Sequence, residues 1–286
     1  MPDFDSPYHR LTVTDNDGVR LLKFERNHQS SMRIDDPFET TIQYVGYLHI
    51  TLAVKPDAAR TLVIGLGGGS VVKRLWRDHP AMQLDVAEID PEVVEVATAL
   101  FEVPDDPRID VHVADGREFL EACDRTYDII IVDAFDDDRV PRPLLTEEFM
   151  RLARDHLAED GVVAWNVFGA VYGPQSRPFR SFHRTASNVW RNVWSFPLGI
   201  AENAVDDSRN IVMLASDASI SADELAARIA DRVGGLVTVP AFERFAEDLY
   251  TGAIRTGDVP LLTDEQGGRA SRYHRNTPRR RPPEER

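Results

Sequence analysis

Between Thr61 and Ala215 the chain alternates short, β-branched apolar runs with segments whose apolar residues recur at helical spacing. This alternation constrains the fold more than any other feature. The strand-like runs fall at residues 61–64, 84–89, 109–113, 127–132, 162–167, 193–196 and 211–215, and the helical ones near 71–78, 91–101, 117–123, 146–157 and 179–189. Strands that are apolar throughout and separated by helices belong to a mostly parallel sheet covered on both faces. The expectation is therefore an α/β, Rossmann-like, doubly wound fold with a seven-stranded sheet. Asp90 as helix cap and Pro91 at the first helical position, where its missing N–H is harmless, mark the end of the second strand.

The flanks read differently. Residues 11–13 and 19–24 surround the turn Asp15-Asn16-Asp17-Gly18 and predict a hairpin, the start of a small N-terminal β appendage. Residues 41–54 repeat apolar side chains through Tyr44, Leu48 and Leu52 and stop before Pro56, which predicts one linking helix. A further helix is expected over 222–233, ahead of an aromatic stretch around Phe242 and Phe245. Periodicity ends at Thr263. The expected organisation is a β-hairpin region with linking helix over 1–55, a nucleotide-binding catalytic domain over 56–262, and a disordered Arg-rich tail over 263–286.

Composition narrows the function classes. The formal charge is −15, but the last 18 residues carry seven Arg and two Glu, which leaves 26 basic against 46 acidic residues in 1–268. A body near −20 repels nucleic acid and attracts cations, and it also favours solubility. Cys123 is the single cysteine, so an intrachain disulfide and a Cys-based zinc site are excluded. The histidines show no paired ligand spacing, and no metal is expected. No apolar run approaches the ~18 residues of a membrane span, and residues 1–10 lack a signal-peptide pattern. A soluble, cytoplasmic protein is the expectation.

The chemistry concentrates at strand ends. The first core strand runs into Gly65-Leu66-Gly67-Gly68-Gly69-Ser70 directly before a helix, where backbone approaches a ligand closely and helical N–H groups face it. Ser70 replaces the last glycine of the dinucleotide fingerprint. Glu88 and Asp90 close the second strand about 20 residues later, where a carboxylate accepts hydrogen bonds from ribose hydroxyls; Glu88 is the ribose candidate and Asp90 the cap. Asp115-Gly116 ends the third strand and Asp133 the fourth, followed by Asp136-Asp137-Asp138. Four successive strands thus end in Gly, Glu, Asp and Asp, and ligands of open α/β sheets bind beyond those ends.

The order of these motifs resembles the polyamine aminopropyltransferase (spermidine synthase) family across roughly residues 18–215. In His28-Gln29-Ser30-Ser31-Met32, Gln29 is similar to the family's nucleotide-contacting Gln, and Tyr44 to its helix Tyr. Glu88 in Glu88-Ile89-Asp90 and Asp115-Gly116 match its nucleoside residues, beside the glycine turn Gly65, Gly67 and Gly69. Asp133-Ala134-Phe135-Asp136 resembles the catalytic Asp-x-x-Asp, and the segment 139–144, with Pro141, its gatekeeping loop. The resemblance implies a methyltransferase-like Rossmann fold. It further implies decarboxylated S-adenosylmethionine (or S-adenosylmethionine) as co-substrate, with no permanently bound cofactor. A small-molecule amine is the implied acceptor, and a homodimer or homotetramer the implied assembly. Asp133 would accept the amine's proton and Asp136 would hold its cationic tail.

Three positions depart from the family pattern. Gly68 stands where the family's glycine loop carries an Asp, Val45 follows the helix Tyr in place of Gln or His, and no substrate-facing Tyr follows Pro197-Leu198-Gly199. Losing an acid removes attraction for the donor's terminal ammonium and repulsion of an amino-acid carboxylate. S-adenosylmethionine-dependent methyl transfer to a small molecule, and non-catalytic nucleotide binding, therefore stand beside aminopropyl transfer.

Overall fold

The computed structural model describes residues 3–8, 10–25, 27–136, 139–201 and 203–266. Four strands form an N-terminal antiparallel sheet in the order β1-β2-β3-β4: β1 (Asp3–Asp5), β2 (Arg10–Asn16), β3 (Val19–Phe24) and β4 (Asn27–Arg33). The predicted hairpin is β2–β3, with Asn16 opposite Val19 and a two-residue turn at Asp17 (φ 49°) and Gly18 (φ 75°). Positive φ at both turn residues matches the strands' right-handed twist.

The linking segment differs from the single helix expected over 41–54. It forms α1 (Tyr44–Leu48) and α2 (Thr51–Val54) joined by a tightened turn, in which His49 and Ile50 N–H donate to Gly46 and Tyr47 carbonyls. His49 Nδ1 lies 3.0 Å from Val45 O, and Thr51 Oγ1 donates to Leu48 O. Side chains that engage nearby carbonyls compete with the i→i+4 ladder, and here the ladder breaks.

The main domain runs β5 (Arg60–Ile64), α3 (Ser70–Asp78), β6 (Gln83–Glu88), α4 (Pro91–Leu100), β7 (Ile109–Val113), α5 (Gly116–Ala122), β8 (Tyr127–Val132), α6 (Glu147–Asp155), β9 (Leu157–Gly169), α7 (Arg177–Val189), β10 (Asn192–Pro197), β11 (Arg209–Ser216) and α8 (Ala222–Ala230). All seven expected strands form one sheet in the order β10-β11-β9-β8-β5-β6-β7. β5 through β9 pair in parallel, and β11 runs antiparallel between β9 and β10.

Alternate residues of each strand serve opposite cores. Val63, Ile129, Ile131, Val212 and Leu214 face the layer of α1, α2, α3, α4 and α8, whereas Leu62, Ile64, Ile130, Val132 and Met213 face α5, α6 and α7. Each fully buried side chain of this kind contributes roughly 1.5–3 kcal/mol. Double coverage explains why these strands read as unbroken apolar runs rather than alternating ones.

Two arginines secure the periphery. Arg74 of α3 binds Glu39 at 2.6 Å, Asp78 at 2.8 Å and the Thr238 carbonyl at 2.8 Å, fastening the linking segment to the domain. Residues 264–266, expected to begin the disordered tail, instead form a 3-10 turn, because Asp264 receives both terminal nitrogens of Arg117 at 2.8 Å. The Arg-rich remainder of that tail, 267–286, lies outside the described residues. Among the described residues no helix is long and apolar enough to cross a membrane.

Candidate functional site

β5 is the first strand of the main sheet, and the chain leaves it toward β6 and β7 before returning to β8 on its other side. At such a reversal the connections after neighbouring strands diverge and a crevice opens beyond their carboxyl ends. The glycine turn after β5 sits at this point. Gly65 has φ 93°, and a Cβ there would stand 2.5 Å from the Asp133 carbonyl oxygen, so only glycine lets the turn lie against the end of β8. Gly68 N–H donates to Ser30 Oγ of β4 at 2.8 Å. Its missing Cβ would lie 2.8 Å from the Phe101 ring and 3.0 Å from Ser30 Cβ. The space for an acidic side chain at this position is already filled.

Glu88 at the end of β6 is buried, and its Oε2 accepts the Leu66 N–H at 2.8 Å while Oε1 accepts the Asp90 N–H at 2.9 Å. It therefore fastens the glycine turn to β6. Burial raises its pKa and the main-chain bonds oppose the rise. A carboxylate offers about four lone-pair directions, so acceptor capacity remains for ribose hydroxyls. Asp90 caps α4 through Glu92 N–H at 3.0 Å, as its place before Pro91 predicts. Asp115 caps α5, with Oδ1 accepting from Arg117 and Glu118 N–H. Gly116 next to it is held against Ile64, whose Cγ2 would lie 2.2 Å from a Cβ.

Asp133 follows β8. The Tyr44 hydroxyl donates to Oδ2 at 3.4 Å and Asn166 Nδ2 to Oδ1 at 3.3 Å, while Asn210 Nδ2 donates to Asn166 Oδ1 at 2.9 Å. Burial pushes Asp133 up to about 6, against the two hydrogen bonds that favour its ionised form. Burial and the neighbouring carboxylate push the Tyr44 phenol well above its ordinary range, so it stays a proton donor. A carboxyl group with a pKa near 6, at the floor of a crevice, is suited to exchange a proton near neutrality.

Of the residues singled out from sequence, Gln29, Tyr44, Gly65, Gly67, Glu88, Asp115, Gly116, Asp133 and Pro141 line this one crevice. Gly69 does not; it has φ 70° and caps α3. Asp136 is also not among the lining residues, and its main chain pairs with Arg139 in a tight turn. Asp137 and Asp138 lie outside the described residues. Sequence reasoning missed Asn166, although a polar residue within the apolar run 162–167, fully buried in the fold, was a readable signal. It also missed Phe24 and Ser30 in the crevice wall.

Among the described residues one trio of ligand-type side chains lies close together, Asp85, Asp110 and His112. Asp85 already receives the Tyr127 hydroxyl at 2.8 Å and Arg125 at 2.9 Å, which makes the cluster an ion-pair network.

Residues 46–170 match the family described as the spermine/spermidine synthase domain. The polyamine aminopropyltransferase of Vibrio vulnificus (strain CMCP6) is 32% identical over 187 residues, which cover 62% of this chain and 62% of that protein. The match thus spans less than two thirds of the relative's length. The crystal structure of a probable spermidine synthase from Corynebacterium glutamicum ATCC 13032 superposes with a TM-score of 0.70 at 18% identity, covering 91% of this chain and 99% of the other. Human methyltransferase-like protein 13, solved in complex with SAH, superposes with a TM-score of 0.52 at 20% identity, covering 73% of this chain and 92% of that one. At these identities the structural likenesses establish the fold.

Proposed function

We propose that the protein is an aminopropyltransferase of polyamine biosynthesis, on the premise that residues 46–170 match the spermine/spermidine synthase domain family. It transfers the aminopropyl group of decarboxylated S-adenosylmethionine to an amine acceptor. The observation that carries the reading is Asp133, raised to about 6 and bonded to Tyr44, in the same crevice as Glu88 and Asp115.

The roles follow from position. Glu88 accepts the ribose hydroxyls, in bonds worth about 1.5–3 kcal/mol each, and Asp115 with Gly116 receives the adenine end. The glycine turn and Gln29 flank the nucleoside, and Pro141 closes over it. The acceptor amine attacks the methylene carbon beside the sulfonium; a C–N bond forms, and the C–S electron pair leaves with sulfur as neutral methylthioadenosine. The amine's proton passes to the Asp133 carboxylate, directly or through water. Tyr44 and Asn166 hold that carboxylate's two oxygens and keep it ionised near neutral pH. Asp136, beyond the crevice lining, is assigned the distal ammonium of a polyamine acceptor.

A second reading, methyl transfer from S-adenosylmethionine, is favoured by the crowding at Gly68, which leaves no acid to attract the donor's terminal ammonium. Mass spectrometry of the purified protein with each donor and a panel of amines separates the two. Methylthioadenosine together with an aminopropylated amine is expected. S-adenosylhomocysteine with a methylated acceptor would transfer the assignment to the second reading, and neither product would remove both.

A further inference from the structure

The N-terminal sheet does more than decorate the domain, since Phe24 of β3 and Ser30 near the middle of β4 already form part of the crevice wall. The β1–β2 connection is anchored at Asp90, next to the crevice-lining residues Glu88 and Ile89. Ser6 Oγ donates to Asp90 Oδ2 at 2.5 Å, and the Tyr8 N–H donates to Ser6 Oγ at 3.0 Å. Asp90 is only 1% exposed, and its own N–H is held by Glu88 Oε1 at 2.9 Å. The connection is therefore pinned two hydrogen bonds away from the carboxylate assigned to the ribose. Tyr8, half-buried, follows two residues after this anchor.

We propose that Tyr8 is a nucleoside-binding residue, and that the segment Ser6–Tyr8, which lies just beyond the residues lining the crevice, extends its wall on the Glu88–Asp115 side. The inference rests on the nucleotide reading of that crevice and extends it to a part of the chain outside the matched family domain. Tyrosine suits the position because it offers an apolar face to a nucleoside and a hydroxyl to water or to a neighbouring acceptor. Burial and the carboxylates of Asp90, Asp115, Glu118 and Glu88 raise the Tyr8 phenol above its ordinary value, so the hydroxyl stays protonated. A protonated donor also offsets the crowding of four acids at one rim. Ser6 acts as a positioning residue, holding the connection through Asp90.

The test uses 5′-methylthioadenosine as probe and the full chain. Isothermal titration is expected to show binding to Tyr8→Ala about tenfold weaker than to wild type, as for loss of one aromatic contact to a base. Hydrogen-exchange mass spectrometry of the wild type, which does not depend on how the variant folds, is expected to show slower exchange over residues 3–8 when the probe is bound. Wild-type affinity in a folded Tyr8→Ala protein, or unchanged exchange over 3–8 at saturating probe, overturns the proposal. Failure of the wild type itself to bind would instead defeat the nucleotide reading, and this inference with it.

Discussion

Replacing Asp133 by Asn is expected to abolish turnover and, at alkaline pH, to stabilise the fold. The Asp133 carboxyl has a pKa of about 6 in the folded protein against 3.8 ordinarily. A shift of about two units corresponds to about 3 kcal/mol between its protonation states. Because the folded value is the higher one, the associated stability is fully present below pH 3.8 and is lost as pH rises through 6. Above neutrality the native protein holds a half-buried charge that the unfolded chain would solvate. An amide is neutral throughout and avoids this cost, but it accepts from only one of Tyr44 and Asn166, a loss of about 0.5–1.5 kcal/mol. The net gain for Asp133→Asn is about 1.5–2.5 kcal/mol at pH 8 and none at pH 4. In calorimetry this appears as a rise of about 3–10 °C in Tm at pH 8 that vanishes at pH 4. An equal destabilisation at both pH values, or retained turnover, would refute both the buried charge and its role.

Other outcomes follow from neighbouring residues. The Asp133 carboxyl is expected to set the acid limb of wild-type kcat/KM near pH 6, and loss of Asn166's bond to it in Asn166→Leu to move that limb to higher pH; an unmoved limb in a folded variant would show that Asn166 does not hold Asp133. Glu88→Ala removes the acceptor for the Leu66 and Asp90 N–H groups as well as for ribose, so methylthioadenosine affinity should fall by about 1.5–3 kcal/mol, and calorimetric titration giving an unchanged Kd would remove Glu88 from the site. Introducing an acid with Gly68→Asp forces a side chain against Phe101 and Ser30, for an expected loss of about 1–3 kcal/mol in urea unfolding, and wild-type stability would show that the pocket yields.

Much of this fold was readable because its sheet is covered on both faces: runs such as Ile129–Val132 advertise burial, and the cap at Asp90 announces the helix after it. The crevice was readable for a related reason, since a parallel sheet brings consecutive strand ends to one edge. What the sequence obscured depends on side chains meeting across long separations. The break between α1 and α2 arises from His49 and Thr51 engaging nearby carbonyls, which periodicity does not register. The order of residues 264–266 rests on Arg117, 147 positions earlier. Asp136, three residues after Asp133, is not among the residues lining the crevice, and its main chain pairs with Arg139 in a tight turn that spacing alone does not announce.

The most direct measurement is a crystal structure of the protein soaked with methylthioadenosine. We expect the ribose hydroxyls within hydrogen-bonding distance of Glu88, the adenine beside Asp115, and the sulfur directed toward Asp133. A nucleoside bound elsewhere, or one in this crevice with its ribose turned away from Glu88, would contradict the account.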